Sequence, residues 1–328
     1  MLKRILCLSA LALQCTLSTA YAAEKLTLGL ITTTTPDDIR KRWQAFADDL
    51  GKATGMEVQT VVSANYDEIV NGLRDNKIQV AWMGSKSALA AVEDGKSTIF
   101  AQMVKADGSK GYVSYLIVPA NSPIKSIDDV VAQPKRYTFA DGEASSTSGY
   151  LVPAYYLFSK RKIDVNKLFS RVTKGNHQAH LKAIVEGQVD VATYNSEELD
   201  RLKKEQPAQA KKVKVIWTSP QIPNDPILYR KDLSPALKSK LEDFFLNYGK
   251  AKSASTHKQN LLAMLELSGF QRSNDAQLKS IADLTLFSIL RANMDDTKLT
   301  DAQKAQKFNE VSARFGKLSM VLESARLK

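Results

Sequence analysis

A run of hydroxyl side chains is the feature of this sequence with the clearest chemical meaning. Residues 145–148 read Ser-Ser-Thr-Ser, between a predicted strand ending at Ala140 and a predicted helix beginning near Gly149. The amino end of a helix offers unpaired N–H groups and the positive end of the helix dipole, so an anion can bind there without a formal cation. An ordinary N-cap needs only one hydroxyl. We therefore favour an anion site over a simple cap.

Two histidines could add to such a site. His177 opens another predicted helix after the turn at 174–176, and His180 follows one helical turn later. The ring and backbone of His177 could approach the same anion from a second helix end, while a histidine that is merely packed or exposed stays an open alternative. A His-x-x-His pair supplies too few ligands for a closed metal site. We expect no bound metal.

A hydrolytic enzyme is a less favoured interpretation. Ser146, His177 and Asp225 occur in an order that a catalytic triad could have. The sequence has no Gly-x-Ser-x-Gly turn to expose a nucleophile, and three such common residue types in order carry little weight. Neither Gly-x-Gly-x-x-Gly nor the phosphate-binding Gly-x-x-x-x-Gly-Lys-Ser/Thr motif occurs, so we expect no nucleotide cofactor.

The charge balance favours anionic partners without identifying them. The chain has 46 Lys and Arg against 35 Asp and Glu, a formal net charge of +11. The basic clusters at 203–204 and 211–214 lack interleaved aromatic residues, unlike nucleic-acid-binding surfaces. They are typical of solvated helix faces, and we expect no nucleic-acid partner.

The amino terminus has the pattern of a secretory signal peptide. Lys3 and Arg4 precede an apolar run at 5–17, and a small-x-small cleavage site occupies 20–22. Both cysteines, Cys7 and Cys15, lie inside this segment, so the exported protein would have no disulfide. We predict a signal peptide over residues 1–22 and a periplasmic protein.

The elements that would position the candidate site alternate between strand and helix. The length of 328 residues, with 44% hydrophobic and 25% charged side chains, is typical of a two-domain globular protein. Strands are predicted near 26–31, 58–61, 78–82 and 112–118, then near 137–140, 170–173, 189–193 and 213–217. Helices lie between them, starting with one in which Ile39, Trp43, Phe46 and Leu50 share a face. This alternation predicts an α/β layer fold.

The last part of the chain is predicted to be helical from about Asp275. Five apolar residues there repeat with the 3, 4, 3, 4 spacing of a coiled-coil seam: Phe308, Val311, Phe315, Leu318 and Leu322. Two interpretations remain open, a helix folded back on its own domain and a homodimer contact through this helix.

Several segments of the sequence form a recognisable set: Gly111-Tyr112, residues 145–153, the strand at 189–193, residues 222–226, Asn65-Tyr66, Trp82 with Gly84, and residues 244–250. Together they resemble the periplasmic phosphonate-binding proteins of ABC transporters. The similarity covers about residues 26–248, while the last eighty residues match loosely.

The resemblance implies a type II periplasmic binding protein, in which two α/β lobes close on a ligand. The expected division is lobe 1 at 23–117 and 219–272, lobe 2 at 118–218, and a helical tail at 273–328. The hinge crossings would fall near 115–119 and 217–220. The implied partner is an inner-membrane permease, and the implied protein is not an enzyme.

The resemblance also implies roles for individual residues. Positions that bind phosphonate oxygens match Ser146, Thr147, Ser148 and His177, and positions around the amino end of an aminoalkyl phosphonate match Tyr66, Tyr112, Glu197 and Asp225. Two carboxylates beside an anion would be costly without a ligand ammonium. We therefore expect alkyl or aminoalkyl phosphonates such as 2-aminoethylphosphonate, with phosphate, phosphite or phosphate esters as the alternative.

The sequence departs from the family pattern at three positions. Met83 stands where Tyr is common, Tyr194 where Asn is common, and Asn224 where Gly is common. Met83 and Tyr194 follow strands predicted to point at the cleft, so these two residues are expected to influence ligand preference. Asn224 is expected to alter only a turn.

Overall fold

The computed structural model describes residues 24–327 and contains two α/β lobes with a helical tail. This confirms the predicted fold class. The predicted signal peptide lies outside the described residues. No helix in the described part of the chain combines the length and apolar character that a membrane crossing requires.

The first lobe is built on a six-stranded sheet in the order β13-β4-β12-β3-β1-β2. β1 pairs in parallel with β2 and β3, whereas β12 runs antiparallel to β3 and β4. The strands are β1 (Lys25–Ile31), β2 (Glu57–Ser63), β3 (Val80–Trp82), β4 (Ser97–Lys105), β12 (Pro226–Arg230) and β13 (Leu267–Arg272). The helices are α1 (Pro36–Thr54), α2 (Tyr66–Arg74), α3 (Ser85–Glu93), α9 (Pro235–Asn247) and α10 (Ser255–Leu265).

The second lobe is built on a five-stranded sheet in the order β10-β6-β9-β7-β8. The strands are β6 (Ser114–Pro119), β7 (Thr138–Gly142), β8 (Arg171–Gly175), β9 (Val191–Asn195) and β10 (Val213–Thr218). The α-helices are α4 (Ile127–Val131), α5 (Val165–Leu168), α6 (His177–Val185), α7 (Ser196–Glu205) and α8 (Pro207–Ala210). A further helical stretch follows β7 and comprises Thr147–Leu151, Ala154–Phe158 and Ser159–Arg161.

The chain crosses between the lobes at a short two-stranded ribbon. β5 (Gly111–Tyr112) pairs antiparallel with β11 (Ile222–Pro223), between the last strand of one lobe and the first of the other. The predicted crossing at 115–119 lies inside β6, which pairs with β9 and β10 in the second sheet. The lobe boundary predicted at residue 117 is therefore several residues too late, because an apolar strand such as β6 does not reveal which sheet it joins.

The spacing of apolar residues explains the helix that covers the first sheet. Ile39, Trp43, Phe46 and Leu50 are all buried on α1. Thr35 caps the helix by accepting a hydrogen bond from the backbone N–H of Asp38, and Pro36 occupies the first turn, where its missing N–H costs nothing. The predicted helix is confirmed, and its buried face forms the centre of the first lobe's core.

The tail packs on its own lobe. It consists of a 3₁₀ turn (Asp275–Leu278), α11 (Lys279–Asp295) and α12 (Asp301–Arg326). Val311, Phe315, Leu318 and Leu322 are buried in the core of the first lobe, while Phe308 is 47% exposed. The seam is thus used within one chain, and the homodimer prediction is not supported. A 3, 4 spacing shows that one face is covered but not which surface covers it.

The two lobes are in contact along the rim of the cleft. Thr33 Oγ1 donates to Glu198 Oε1 at 2.6 Å, and the Arg42 guanidinium on α1 pairs with Glu205 on α7 at 3.0 Å. The Lys204 ammonium pairs with Glu266 at 2.7 Å. The structure therefore represents a closed arrangement of the lobes.

Candidate functional site: a cavity between the lobes

A cavity lies where the two lobes meet, at the ends of several strands. All eight residues proposed from the sequence line it: Tyr66, Tyr112, Ser146, Thr147, Ser148, His177, Glu197 and Asp225. Its wall also contains Thr33, Trp82, Met103, Lys105, Asn195, Glu198, Arg201 and Glu266. The structure thus brings together eight predicted side chains that are up to 159 residues apart in the chain.

The hydroxyl run follows strand β7 after two residues and opens the next helical stretch. Ser146 is the N-cap of Thr147–Leu151, which is a π-helix rather than the α-helix expected near Gly149. A side chain on Gly142 would lie 2.4 Å from the carbonyl carbon of Gly149, so a glycine is required for strand and helix to touch. This contact holds the helix end against the strand, with Ser146, Thr147 and Ser148 all buried.

Each of the three buried hydroxyl oxygens already has a neighbour to accept from. Ser146 Oγ accepts from the Gly149 N–H at 3.0 Å, and Thr147 Oγ1 accepts from the Lys86 N–H at 2.9 Å. Ser148 Oγ accepts from Asn195 Nδ2 at 3.4 Å. A hydroxyl has one proton to donate, so the protons of Ser146 and Thr147 remain available for an anion. The Ser148 hydroxyl also contacts His177 Nε2 and Tyr112, so an anion would compete with these neighbours for its proton. Ser145, the fourth hydroxyl of the run, bonds to Asp67 across the cleft and does not line the cavity.

His177 lies next to this group as a neutral ring. Its Nε2 is 3.1 Å from Ser148 Oγ, and its Nδ1 is buried without a hydrogen-bond partner in the described residues. Burial, together with His180 nearby, lowers the pKa of His177 to about 3. With the proton on Nε2, the ring donates to Ser148 and orients that hydroxyl for donation. In this tautomer, the uncharged His177 ring is a hydrogen-bond donor within the site.

A carboxylate is held on the opposite side of the cavity by two aromatic side chains. Trp82 Nε1 donates to Asp225 Oδ2 at 3.0 Å, and the Tyr112 hydroxyl donates to Asp225 Oδ1 at 3.4 Å. Burial and the nearby Glu197 charge raise the pKa of Asp225 to about 8, although these two bonds and Lys105 oppose the rise. Asp225 is therefore a carboxyl group in need of a cation.

The environment of Glu197 differs from the one we expected, because a lysine of the protein already pairs with it. The Lys105 ammonium lies 2.8 Å from Glu197 Oε1 and also donates to the Leu265 carbonyl at 2.8 Å. Although burial works against the charged form, attraction to Glu197 raises the pKa of Lys105. Glu197 is thus partly neutralised, and Asp225 is the one acid lining the cavity without an ion pair among the described residues.

Two buried tyrosines complete the enclosure. Tyr66 begins α2, and Tyr112 belongs to the crossing ribbon. The Tyr112 hydroxyl interacts with both Ser148 and Asp225. Only the Tyr112 side chain therefore separates the Ser148 hydroxyl from the Asp225 carboxyl group. A cavity with these two groups so close suits a short molecule with an anionic and a cationic end.

The three departures from the family pattern do not line the cavity. Met83 is buried in the first lobe's core and does not line the cavity, so the structure gives no direct contact through which it would influence the ligand. Tyr194 is buried too, and its ring packs edge-on against His177 at 5.6 Å. Asn224 Nδ2 donates to the Ser109 carbonyl, which ties the two crossing segments together. Alternation along a strand places a residue on a face but not in a cavity.

The proposed hydrolase residues are not arranged as a triad. His177 bonds to Ser148 rather than to Ser146, and Ser146 accepts from Gly149. Asp225 bonds to Trp82 and Tyr112 on the other lobe's side of the cavity. No proton relay therefore connects Ser146, His177 and Asp225 within the described part of the chain. In those same residues, no group of three or more candidate ligands gathers to hold a metal ion.

The residues that sequence reasoning missed are mainly charged side chains paired across the cleft. Lys105 ends β4 in one lobe and Glu197 lies on α7 in the other. Arg201 faces the cavity and pairs with Glu198. Trp82 carried part of the family resemblance, but nothing in its strand indicated that its indole N–H meets a carboxylate. The pairing of Lys105 with Glu197 depends on the closed arrangement of the lobes and leaves no signal in local spacing.

Comparison with known proteins gives one consistent result. The family model described as "ABC transporter, phosphonate, periplasmic substrate-binding protein" matches residues 28–278. The phosphonates-binding periplasmic protein of Escherichia coli K12 is 40% identical over 313 residues, covering 94% of this chain and 91% of that protein. A probable ABC transporter phosphite-binding protein of Prochlorococcus marinus is 26% identical over 271 residues, covering 79% of this chain and 88% of that protein.

A solved structure agrees in both fold and sequence. The crystal structure of a binding protein component of an ABC phosphonate transporter from Pseudomonas aeruginosa superposes with a TM-score of 0.85 at 37% identity, covering 93% of this chain and all of that one. The matching family model, this structure and the cavity between two lobes point to the same conclusion. The chain belongs to the phosphonate-binding family of ABC transporter substrate-binding proteins, which are receptors rather than enzymes.

Proposed function

We propose that this protein binds alkyl and aminoalkyl phosphonates, such as 2-aminoethylphosphonate, in the cavity between its lobes. The observation that carries the proposal is the set of three buried hydroxyls that line the cavity, Ser146, Thr147 and Ser148, each of which already accepts a hydrogen bond and can therefore turn its own proton to an anion. Three donors directed at one small anion match the oxygens of a phosphonate. Hydrogen bonds to a charged group contribute about 1.5–3 kcal/mol each, so several together reach the roughly 8 kcal/mol of a micromolar site.

The ammonium of an aminoalkyl phosphonate is assigned to Asp225. This carboxyl is enclosed by Trp82 and Tyr112, and the aromatic faces of Tyr112 and Tyr66 can surround a cation. A ligand ammonium supplies the charge partner that the burial of Asp225 calls for. Glu197 adds negative potential nearby, reduced by its pairing with Lys105.

The transport role follows from the family. We place the mature protein in the periplasm, where it captures the ligand by hinge closure and delivers it to a membrane permease. The basic and apolar pattern of residues 1–22 supports export with cleavage after Ala22. Mass spectrometry of the protein from a periplasmic extract is expected to give an amino terminus at Ala23, and an uncleaved cytoplasmic protein would contradict the location.

Calorimetry with 2-aminoethylphosphonate, methylphosphonate, phosphite and phosphate tests the ligand class. Both phosphonates are expected to bind, with the aminoalkyl compound tighter. The Ser148→Ala variant should weaken both by about 10-fold or more, since it removes a donor to a charged group. Ser239→Ala is the matched control, because Ser239 is exposed on α9 and does not line the cavity. Tighter binding of phosphite or phosphate than of either phosphonate would favour the alternative, to which the phosphite-binding relative gives support.

A further inference from the structure

The end of the cavity opposite the hydroxyls has both a carboxylate and a cation. Lys105 and Asp225 interact electrostatically, and both line the cavity. They come from different strand ends of the same lobe, with Lys105 closing β4 and Asp225 preceding β12. A ligand seated with its anion on Ser146, Thr147 and Ser148 therefore directs its other end toward one positive and one negative side chain.

Lys105 has an unused hydrogen-bond donor. Its ammonium has three N–H groups, and the described residues provide two acceptors, Glu197 Oε1 and the Leu265 carbonyl. The side chain is only 11% exposed, so bulk water is a poor substitute for a third acceptor. An acceptor supplied by a ligand would satisfy this donor.

There is also room beside Lys105 for an additional ligand group. A second cavity opens outward from the first, and the two share Lys105, Tyr112, Glu197 and Glu266 in their walls. The two acids that line both cavities are paired, Glu197 with Lys105 and Glu266 with Lys204, and Asp107 of the second cavity accepts the Ser109 N–H. A second anionic group on the ligand can therefore approach Lys105 on the side where the acids shared by the two cavities already have cations.

Resting on the proposed function, we propose that the site also accepts phosphonates that end in an amino-acid group, with ammonium and carboxylate on one carbon, such as 2-amino-3-phosphonopropionate. The ammonium bonds to Asp225 and the carboxylate to the free donor of Lys105. Lys105 is then a specificity-determining residue, since it converts a site for a simple ammonium into one for a zwitterion.

Calorimetry on the intact mature protein tests this with 2-aminoethylphosphonate and the separate enantiomers of 2-amino-3-phosphonopropionate. The native protein is expected to bind both compounds and to prefer one enantiomer. With the phosphonate on the hydroxyls, only one enantiomer can direct its ammonium to Asp225 and its carboxylate to Lys105. Lys105→Met should weaken the carboxylated ligand by about 10-fold or more. The same variant should weaken 2-aminoethylphosphonate by less than about 3-fold, or strengthen its binding, because Glu197 loses its ion pair with Lys105 and can attract the ligand ammonium.

Two further variants keep the test decisive. Lys105→Met with Glu197→Gln removes both charges, so Glu197 is not left as an additional unpaired acid, and the variant should show the same selective loss and no enantiomer preference. Lys203→Met is the matched control, since Lys203 lines only the outer cavity and pairs with Asp200. Its ligand affinities should match those of the native protein.

The outcomes separate this proposal from the proposed function. Binding of 2-aminoethylphosphonate with about 100-fold weaker binding of both enantiomers overturns the assignment of Lys105 and leaves the proposed function standing. So does an equal loss of both compounds in the double variant. Failure of the native protein to bind either compound, or methylphosphonate, overturns both.

Discussion

The indole of Trp82 is directed at the Asp225 carboxylate, with Nε1 3.0 Å from Oδ2. The indole cannot swing away easily, because it stacks on Trp43 of α1 with ring centroids 5.5 Å apart. The core of the first lobe thus orients the carboxylate that we assign to the ligand ammonium. The stack of Trp43 on Trp82 therefore contributes both to the packing of the lobe and to the orientation of Asp225.

Binding of an amine should therefore depend on pH through Asp225. Its pKa of about 8 means that the ligand-free, closed site is protonated there at neutral pH. An ammonium needs the ionised form, so affinity for 2-aminoethylphosphonate relative to methylphosphonate should rise from pH 5.5 to 8.5. The same ratio measured in Asp225→Asn serves as the reference, because it cancels the ionisation of the two phosphonate groups, which differs between the ligands. The native ratio divided by the Asp225→Asn ratio should rise with pH, and a quotient that stays level would contradict the role of Asp225.

Glu197 should matter less than Asp225 for the same ligand. Glu197 already has the Lys105 ammonium 2.8 Å away, whereas Asp225 has no ion pair in the described chain. We expect Asp225→Asn to weaken 2-aminoethylphosphonate by about 10-fold or more, and Glu197→Gln to weaken it by a smaller factor. Both variants should bind methylphosphonate nearly as the native protein does. The reverse order of losses would show that Glu197 is the main partner of the amine.

His177 should contribute as a neutral donor across the working pH range. Its pKa of about 3 keeps the ring uncharged at pH 5–7. Methylphosphonate affinity is therefore expected to stay level or rise with pH in this interval, whereas a charged histidine that lost its proton there would make the affinity fall. The variant His177→Gln, which keeps an N–H donor, should preserve the shape of the profile. A falling native profile that becomes level in the variant would refute a neutral ring.

The tail helix should stabilise the first lobe rather than join two chains. Phe315 is 5% exposed within that lobe's core, so Phe315→Ala is expected to cost about 3–5 kcal/mol of unfolding free energy. Phe308→Ala is the control at 47% exposure and should change the stability by about 0.5 kcal/mol or less. Urea unfolding measures both. Light scattering should show a monomer at micromolar concentration, and a dimer lost in Phe308→Ala would reinstate the seam as an interface.

The rim contacts should favour the closed arrangement of the lobes. Arg42 bonds to Asp38 on its own helix and to Glu205 on the other lobe, with its side chain 19% exposed. Removing it in Arg42→Met should raise the dissociation constant of every ligand by about 2- to 5-fold, as a partly exposed pair is worth up to about 1 kcal/mol. Arg40→Met is the matched control, because among residues 24–327 Arg40 pairs only with Asp37 on the same helix. Equal ligand affinities in the two variants would show that the Arg42–Glu205 ion pair does not stabilise the closed arrangement.

The parts of the protein that follow from local pattern were predictable from the sequence. Alternating apolar runs indicated two α/β units, and the hydroxyl run at 145–148 indicated an anion site next to His177, with roles that remain to be measured. The pairing of Lys105 with Glu197 was not predictable, because these residues are 92 positions apart and meet only across the closed cleft. The packing of Phe315 was ambiguous for a related reason. Periodicity defines a covered face, and only the tertiary structure supplies its partner.

A crystal structure of the mature protein with 2-aminoethylphosphonate tests the central claim most directly. The phosphonate oxygens are predicted to lie within hydrogen-bond distance of the hydroxyls of Ser146, Thr147 and Ser148. The ligand ammonium is predicted to lie against Asp225. A ligand bound outside the cavity, or one with its amine on the hydroxyls and its phosphonate toward Asp225, would contradict the account.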